Sequence, residues 1–122
     1  LNAIERDPHF YRYMQQHCRN VTVVLGEACE LTTRLNDEQL KIPVRAVVSG
    51  LPLLAMDEKT QKKIVMQSLS LTTQQSVFIQ FSYSLFSPIK KSVQMEFAVR
   101  ARCVAYIWKN IPTAKVWTYM HK

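Results

Sequence analysis

The chain has 122 residues, 48% hydrophobic and 20% charged, a composition that excludes a disordered or collagen-like polymer and suits one small globular domain. No apolar run approaches the roughly 18 residues that span a bilayer, and no basic, apolar, small-residue series opens the chain as a signal peptide would, so a soluble, cytoplasmic protein is expected. The formal net charge of +7 makes polyanions, either nucleic acid or acidic lipid headgroups, the partners to consider first.

Leu1 to Glu5 reads as a short apolar strand that ends in a carboxylate. At the carboxyl end of a strand in an α/β unit, a carboxylate is placed to grip a pair of ribose hydroxyls, because it accepts two hydrogen bonds. Such a strand is normally the second of its fold. A first strand with a glycine-rich loop is therefore expected upstream of Leu1, and the chain, which holds only Gly26 and Gly50, reads as an incomplete domain. Asp7 can cap a helix with Pro8 at its first position, running to about Cys18 with Phe10, Met14 and Cys18 on one face. Val21 to Leu25, stopped by Gly26, and Val44 to Ser49, stopped by Gly50 and Pro52, have the β-branched composition of buried parallel strands.

From about Asp57 a further helix is expected, with Gln61, Ile64, Val65, Ser68 and Leu69 as its inner stripe. Val77 to Tyr83 reads as a buried strand, residues 90 to 97 as a short helix, and Val99 to Trp108 as a strand. Asn110 to Thr113 forms a turn, and Ala114 to Met120 returns as an antiparallel partner. No repeat, low-complexity tract or linker interrupts residues 1–122, so one domain is the economical reading. The order is that of an open α/β sheet, mostly parallel, with an antiparallel C-terminal hairpin.

The charge is uneven along this order. Residues 1–87 carry nine Lys or Arg against eight Asp or Glu, whereas residues 88–122 carry Lys90, Lys91, Arg100, Arg102, Lys109, Lys115 and Lys122 against Glu96 alone. A solvated face is the plain reading of that excess, and a polyanion-binding surface the functional one. Cys18, Cys29 and Cys103 are odd in number and widely spaced, and His9, His17 and His121 are scattered, which points to neither a disulfide framework nor a metal site. The methionines read as core filler, and Trp108, Trp117 and Tyr119 as residues that pack the hairpin onto the sheet.

Three stretches occur in order: Ala3-Ile4-Glu5 at a strand end, Gly26-Glu27-Ala28 after the next strand, and Ser49-Gly50-Leu51-Pro52-Leu53-Leu54 after the third. Together they resemble a class I S-adenosylmethionine-dependent methyltransferase, with its Rossmann-like sheet, from the second strand onward. Ser49 to Leu54, then Phe78-Ile79-Gln80-Phe81-Ser82-Tyr83, then Trp108 to Tyr119 resemble the bacterial phospholipid N-methyltransferases, which methylate phosphatidylethanolamine towards phosphatidylcholine. The resemblance covers nearly the whole chain. It implies that Glu5 binds the ribose hydroxyls of S-adenosylmethionine, that Arg6 lies beside the adenine or ribose, that Glu27 meets the adenine amino group, and that Ala28 contributes a backbone N–H. It also implies that Ser49, Gly50, Leu51 and Pro52 form the methyl-transfer loop, Ser49 and Gly50 through their carbonyls. Glu27 stands where such families usually have Asp.

The related ribosomal RNA adenine dimethyltransferases place an aromatic after Pro-Pro in this loop, where it stacks on the target base. Leu fills that place here and cannot stack so, which argues against a nucleobase and favours an acyl-chain shoulder. Methyl transfer is an in-line displacement that needs alignment and exclusion of water more than a strong base. Tyr83 is placed to add a hydrogen bond or cation-π contact to the ammonium product. The expected location is cytoplasmic and peripheral at the inner membrane surface, with phospholipid headgroups or an anionic membrane meeting the basic C-terminal part. The alternatives are an RNA (adenine) or small-molecule methyltransferase, and, from another class, a non-catalytic basic module that binds membrane or nucleic acid.

In a methyltransferase sheet the first strand lies centrally, between the strand ending at Glu5 and the one ending at Ser49. Without it, an unpaired edge is expected on each of those strands, and the chain alone is expected to be unstable.

Overall fold

The computed structural model describes residues 1–37 and 43–122, and the chain divides into two units, Leu1–Lys41 and Ile42–Lys122. The first unit contains β1 (Asn2–Glu5), α1 (Pro8–His17), β2 (Thr22–Leu25), a single 3-10 turn at Ala28–Glu30, and α2 (Leu31–Asp37). The Asp7 side chain accepts hydrogen bonds from the N–H groups of His9 and Phe10, and Pro8 takes the first helical position, where its missing N–H costs nothing. At the other end the Cys18 N–H donates to the Met14 carbonyl. β1 and β2 are parallel, with Glu5 opposite Leu25.

Burial in this unit is thin. Val24 and Leu35 are its only buried hydrophobic residues among those described, and no residue of α1 is buried. Of the expected α1 stripe, Met14 and Cys18 are half-buried and Phe10 is exposed. α2 was not expected from the pattern. Its Thr32 and Thr33 interrupt the apolar period, and an Arg34 to Glu30 ion pair of 3.0 Å staples its start to the preceding turn.

The second unit contains β3 (Val44–Ser49), a 3-10 turn at Leu53–Ala55, α3 (Glu58–Ser70), β4 (Thr72–Ser82), α4 (Lys91–Glu96), β5 (Val99–Ile107) and β6 (Ala114–His121). Its sheet runs β3-β4-β6-β5. β3 and β4 are parallel, and both pairings of β6 are antiparallel, so the expected hairpin is present, with a register shift between Cys103 and Ala105. α3 lays Gln61, Ile64, Val65 and Ser68 inward, as its stripe requires. These meet a core that includes Leu53, Phe78, Ile89, Val93 and Tyr119, each such side chain contributing about 1.5–3 kcal/mol by burial.

The elements and their mixed pairing are those of the expected open α/β arrangement with an antiparallel C-terminal hairpin, with one difference from the sequence expectation. β2 and β3 are parallel but not buried: only Val24 in β2 and Ser49 in β3 are inside. β2 belongs to a two-stranded sheet and β3 is an edge, so neither is covered as a central strand would be. The strands also fall into two sheets. Among the described residues β1 bonds only to β2 and β3 only to β4, which are the unpaired edges expected above.

Candidate active site

The sequence-derived site residues fall into two groups, one in each unit. In the first, Glu5 and the Gly26-Glu27-Ala28 turn leave the same end of the β1–β2 pair, because Glu5 faces Leu25 in register and the Gly26 N–H donates to the Glu5 carbonyl at 3.0 Å. The Glu5 carboxylate is half-buried, and its Oε1 accepts the Asp7 N–H at 2.8 Å. Among the described residues no hydrogen bond engages its Oε2. Glu27 precedes the 3-10 turn, exposed and with no capping bond from its side chain. Arg6 is exposed and Ala28 half-buried. Two carboxylates with acceptor capacity to spare at one strand end can hold a diol and an amino group.

Gly26 has a packing role at this end. A Cβ there would sit 3.0 Å from Cγ and Nε of Arg34, so glycine admits the arginine that pairs with Glu30. Neither glycine of the chain has a positive φ, so neither stops its strand by left-handed geometry.

In the second unit, Gly50, Leu51, Pro52 and Leu54 from the loop after β3, with Phe81 and Tyr83 from the end of β4, line an apolar groove of about 520 Å³. The structure thus joins Tyr83 to the loop residues named from sequence. Ser49 is turned inward: it is buried, and its Oγ accepts the Leu51 N–H at 3.2 Å, which fixes the start of the loop. Tyr83 is exposed, its ring edge-on to Phe81 with centroids 5.0 Å apart. A Cβ on Gly50 would meet nothing within 4 Å, so this position leaves the groove open.

Two residues that hold this loop were not singled out from sequence. Gln80 Nε2 donates to the carbonyls of Leu51 at 2.7 Å and Phe81 at 2.8 Å. Gln61 Nε2 donates to Leu53 at 2.8 Å and Pro88 at 3.0 Å, while its Oε1 accepts the Lys90 N–H at 2.7 Å. Both side chains are fully buried. The available signal was an amide inside an apolar strand and another inside an apolar helix stripe, since a buried amide must find partners. Gln80 Oε1 is the exception, buried without a hydrogen bond.

The hairpin aromatics divide. Tyr119 is core, its hydroxyl paired with Ser87 Oγ at 2.7 Å, and burial pushes its phenol pKa up against the pull of that bond. Trp117 is half-buried, whereas Trp108 is exposed and stacks on Tyr106; for Trp108 the expected packing onto the sheet is not what the structure has, because it lies past the end of β5. Lys115 is buried, its Nζ donating to the Leu85 carbonyl at 3.1 Å beneath a cation-π contact with Tyr106. Glu96 binds Lys62 at 2.6 Å and raises the lysine pKa, with Glu58 adding to the effect. Among the described residues no cluster of His, Cys, Asp or Glu could hold a metal ion.

No family model matches the sequence, and no curated protein matches it. Solved structures do. A TehB-like SAM-dependent methyltransferase from Corynebacterium glutamicum matches 99% of this chain over 67% of its own, with a TM-score of 0.69 and 10% identity. An rRNA methylase from Streptococcus thermophilus matches 99% over 73% of its length, at 0.59 and 13%. A precorrin-6y C5,15-methyltransferase from Geobacter metallireducens matches 99% over 66%, at 0.65 and 14%. At such identities the likeness concerns the fold, and it extends over nearly the whole chain.

Proposed function

We propose that residues 1–122 are part of one S-adenosylmethionine-dependent methyltransferase domain whose acceptor is the primary amine of phosphatidylethanolamine. The observation that carries this reading is the apolar groove of Leu51, Leu54, Phe81 and Tyr83 beside the loop after β3, to which this reading assigns methyl transfer, in a chain whose fold is like that of methyltransferases. A nucleobase acceptor calls for an aromatic platform on that loop, and leucines line it instead. Leucines suit the glycerol and acyl shoulder of a lipid.

The residues of the first unit fit the cofactor's chemistry. Glu5 accepts from the ribose hydroxyls through Oε2, its Oε1 being tied to the Asp7 N–H, with Arg6 alongside. Glu27 accepts from the adenine amino group, and Ala28 offers its N–H to the ring. When bound, S-adenosylmethionine supplies a methyl group on a sulfonium. The chain's part is to align the amine and keep water out. Ser49 and Gly50 present carbonyls to the reacting end, Leu51 and Pro52 wall it, and the Tyr83 ring faces the ammonium that forms. The basic C-terminal part draws the protein to an anionic bilayer, so its place is cytoplasmic and peripheral at the inner membrane surface.

The test is transfer of labelled methyl from S-adenosylmethionine to phosphatidylethanolamine vesicles. Glu5→Ala is expected to weaken cofactor affinity about tenfold or more, the worth of a charge-assisted hydrogen bond, and so to lose activity at low cofactor concentration. Retained activity there overturns the pocket assignment, and label entering RNA instead of lipid overturns the acceptor.

A further inference from the structure

The strand register places several loops at one end of the second unit's sheet. Ser49 faces Gln80 near the ends of β3 and β4, Ser82 faces Lys115, and Ile107 faces Ala114 where β5 turns into β6. The loop after β4 and the β5–β6 turn therefore emerge beside the groove. Their large apolar side chains point outward: Leu85 is 75% exposed, Phe86 77%, Trp108 75% and Ile111 98%. Lys115, the second residue of β6, holds the loop after β4 to the strand that leaves the β5–β6 turn, through the Leu85 carbonyl. Single exposed apolar residues need no explanation, but four on two neighbouring loops at a site's rim do.

We propose that these two loops are a membrane-insertion surface that seats the groove on an anionic phospholipid bilayer. This deepens the lipid-acceptor reading and rests on it for the reason the surface borders the groove. Charge decides the occupant. Residues 88–122 carry seven basic side chains, of which Lys115 is buried, against one acidic, Glu96, which is taken by Lys62. Lys109 sits exposed in the turn itself, between Trp108 and Ile111, while Arg100 and Arg102 lie towards the other end of β5 and add only long-range positive charge. Apolar tips that carry a lysine, on a protein with a basic excess, are the pattern that enters the headgroup and acyl boundary of anionic membranes, with tryptophan at the interface. A protein partner would be met by a continuous packed patch, and these side chains stand on separate loop tips.

The test is sedimentation of the protein with phosphatidylcholine vesicles, with and without phosphatidylglycerol. Binding is expected to the phosphatidylglycerol vesicles and to fall at least tenfold in the pair Phe86→Ser/Trp108→Ser, and likewise in the independent pair Leu85→Ser/Ile111→Ser, since each buried apolar side chain carries that order of partitioning. Met66→Ser/Met95→Ser, which alters exposed methionines elsewhere, is expected to bind as the parent does. Tryptophan emission is expected to shift to the blue on binding in Trp117→Phe and not in Trp108→Phe. Unchanged binding in both loop pairs overturns the proposal, as does loss of self-association or RNA binding in those pairs with no vesicle binding in the parent. Vesicle binding through these loops without methyl transfer leaves this surface standing and removes the enzyme reading.

Discussion

Gln61 and Gln80 hold the loop after β3 from within: each donates to a backbone carbonyl of that loop that also accepts a backbone N–H, Leu53 for Gln61 and Leu51 for Gln80. Replacing Gln80 with Leu removes both donated bonds and is expected to cost about 1–3 kcal/mol in urea unfolding, and Gln61→Leu, which breaks three bonds, more. A second residue-scale effect concerns Ala98, which holds a left-handed φ of 49° after α4. Ala98→Gly is expected to raise stability by about 1 kcal/mol, because glycine occupies that region without the Cβ clash. Asp57 caps α3 and is held below its ordinary pKa of 3.8 by the Thr60 N–H first and the Thr60 hydroxyl next. A depressed carboxylate contributes stability that is fully present above its unfolded value and is lost as pH falls through the lower folded one. The difference in melting temperature between the parent and Asp57→Ala is therefore expected to be full above pH 3.8 and to vanish in stronger acid. The Asp7 cap and the start of α3 near Asp57 were legible because the acidic residue, the following helix pattern and, for Asp7, the proline all lie within a few residues. Gln80's partners were not: Leu51 is 29 positions away, and no local pattern encodes that distance.

Among the elements, β4 and β6 are bonded on both sides, and the Phe78 and Tyr119 rings meet between them with centroids 5.8 Å apart. Phe78→Ala is expected to cost about 3–5 kcal/mol in equilibrium unfolding, the range for emptying a buried aromatic site. Amide exchange is expected to be slowest in these two strands and fast along β1 and β3, whose outer edges are unpaired; slow exchange in β3 would show that its edge is covered. The hairpin was legible because β5 and β6 are adjacent in sequence and both rich in β-branched and aromatic residues. The burial of β2 and β3 was misread, since a β-branched run reports that a strand forms and is silent on how many neighbours flank it. α2 escaped because two threonines mask a helix that an ion pair secures.

At the scale of the whole molecule the two units differ in what holds them. The first buries Val24 and Leu35, the second the inner faces of α3, β4 and β6. Unequal cores break two-state behaviour. Far-ultraviolet circular dichroism is expected to begin changing at lower urea than tryptophan emission, because Trp108 and Trp117 both lie in the second unit; coincident transitions would contradict this. By itself the sequence determined the order of the strands with α1, α3 and α4, the Asp7 cap, the Glu5 and Glu27 carboxylates at a strand end and the basic excess after residue 88, since each is written in neighbouring residues or in composition. Only the tertiary structure decided that Tyr83 joins the Gly50 to Pro52 loop, that two buried glutamines hold that loop, and that Lys115 is an internal tie while Trp108 faces outward. Those facts depend on which distant strands pair and in what register, and register is settled by packing across the sheet.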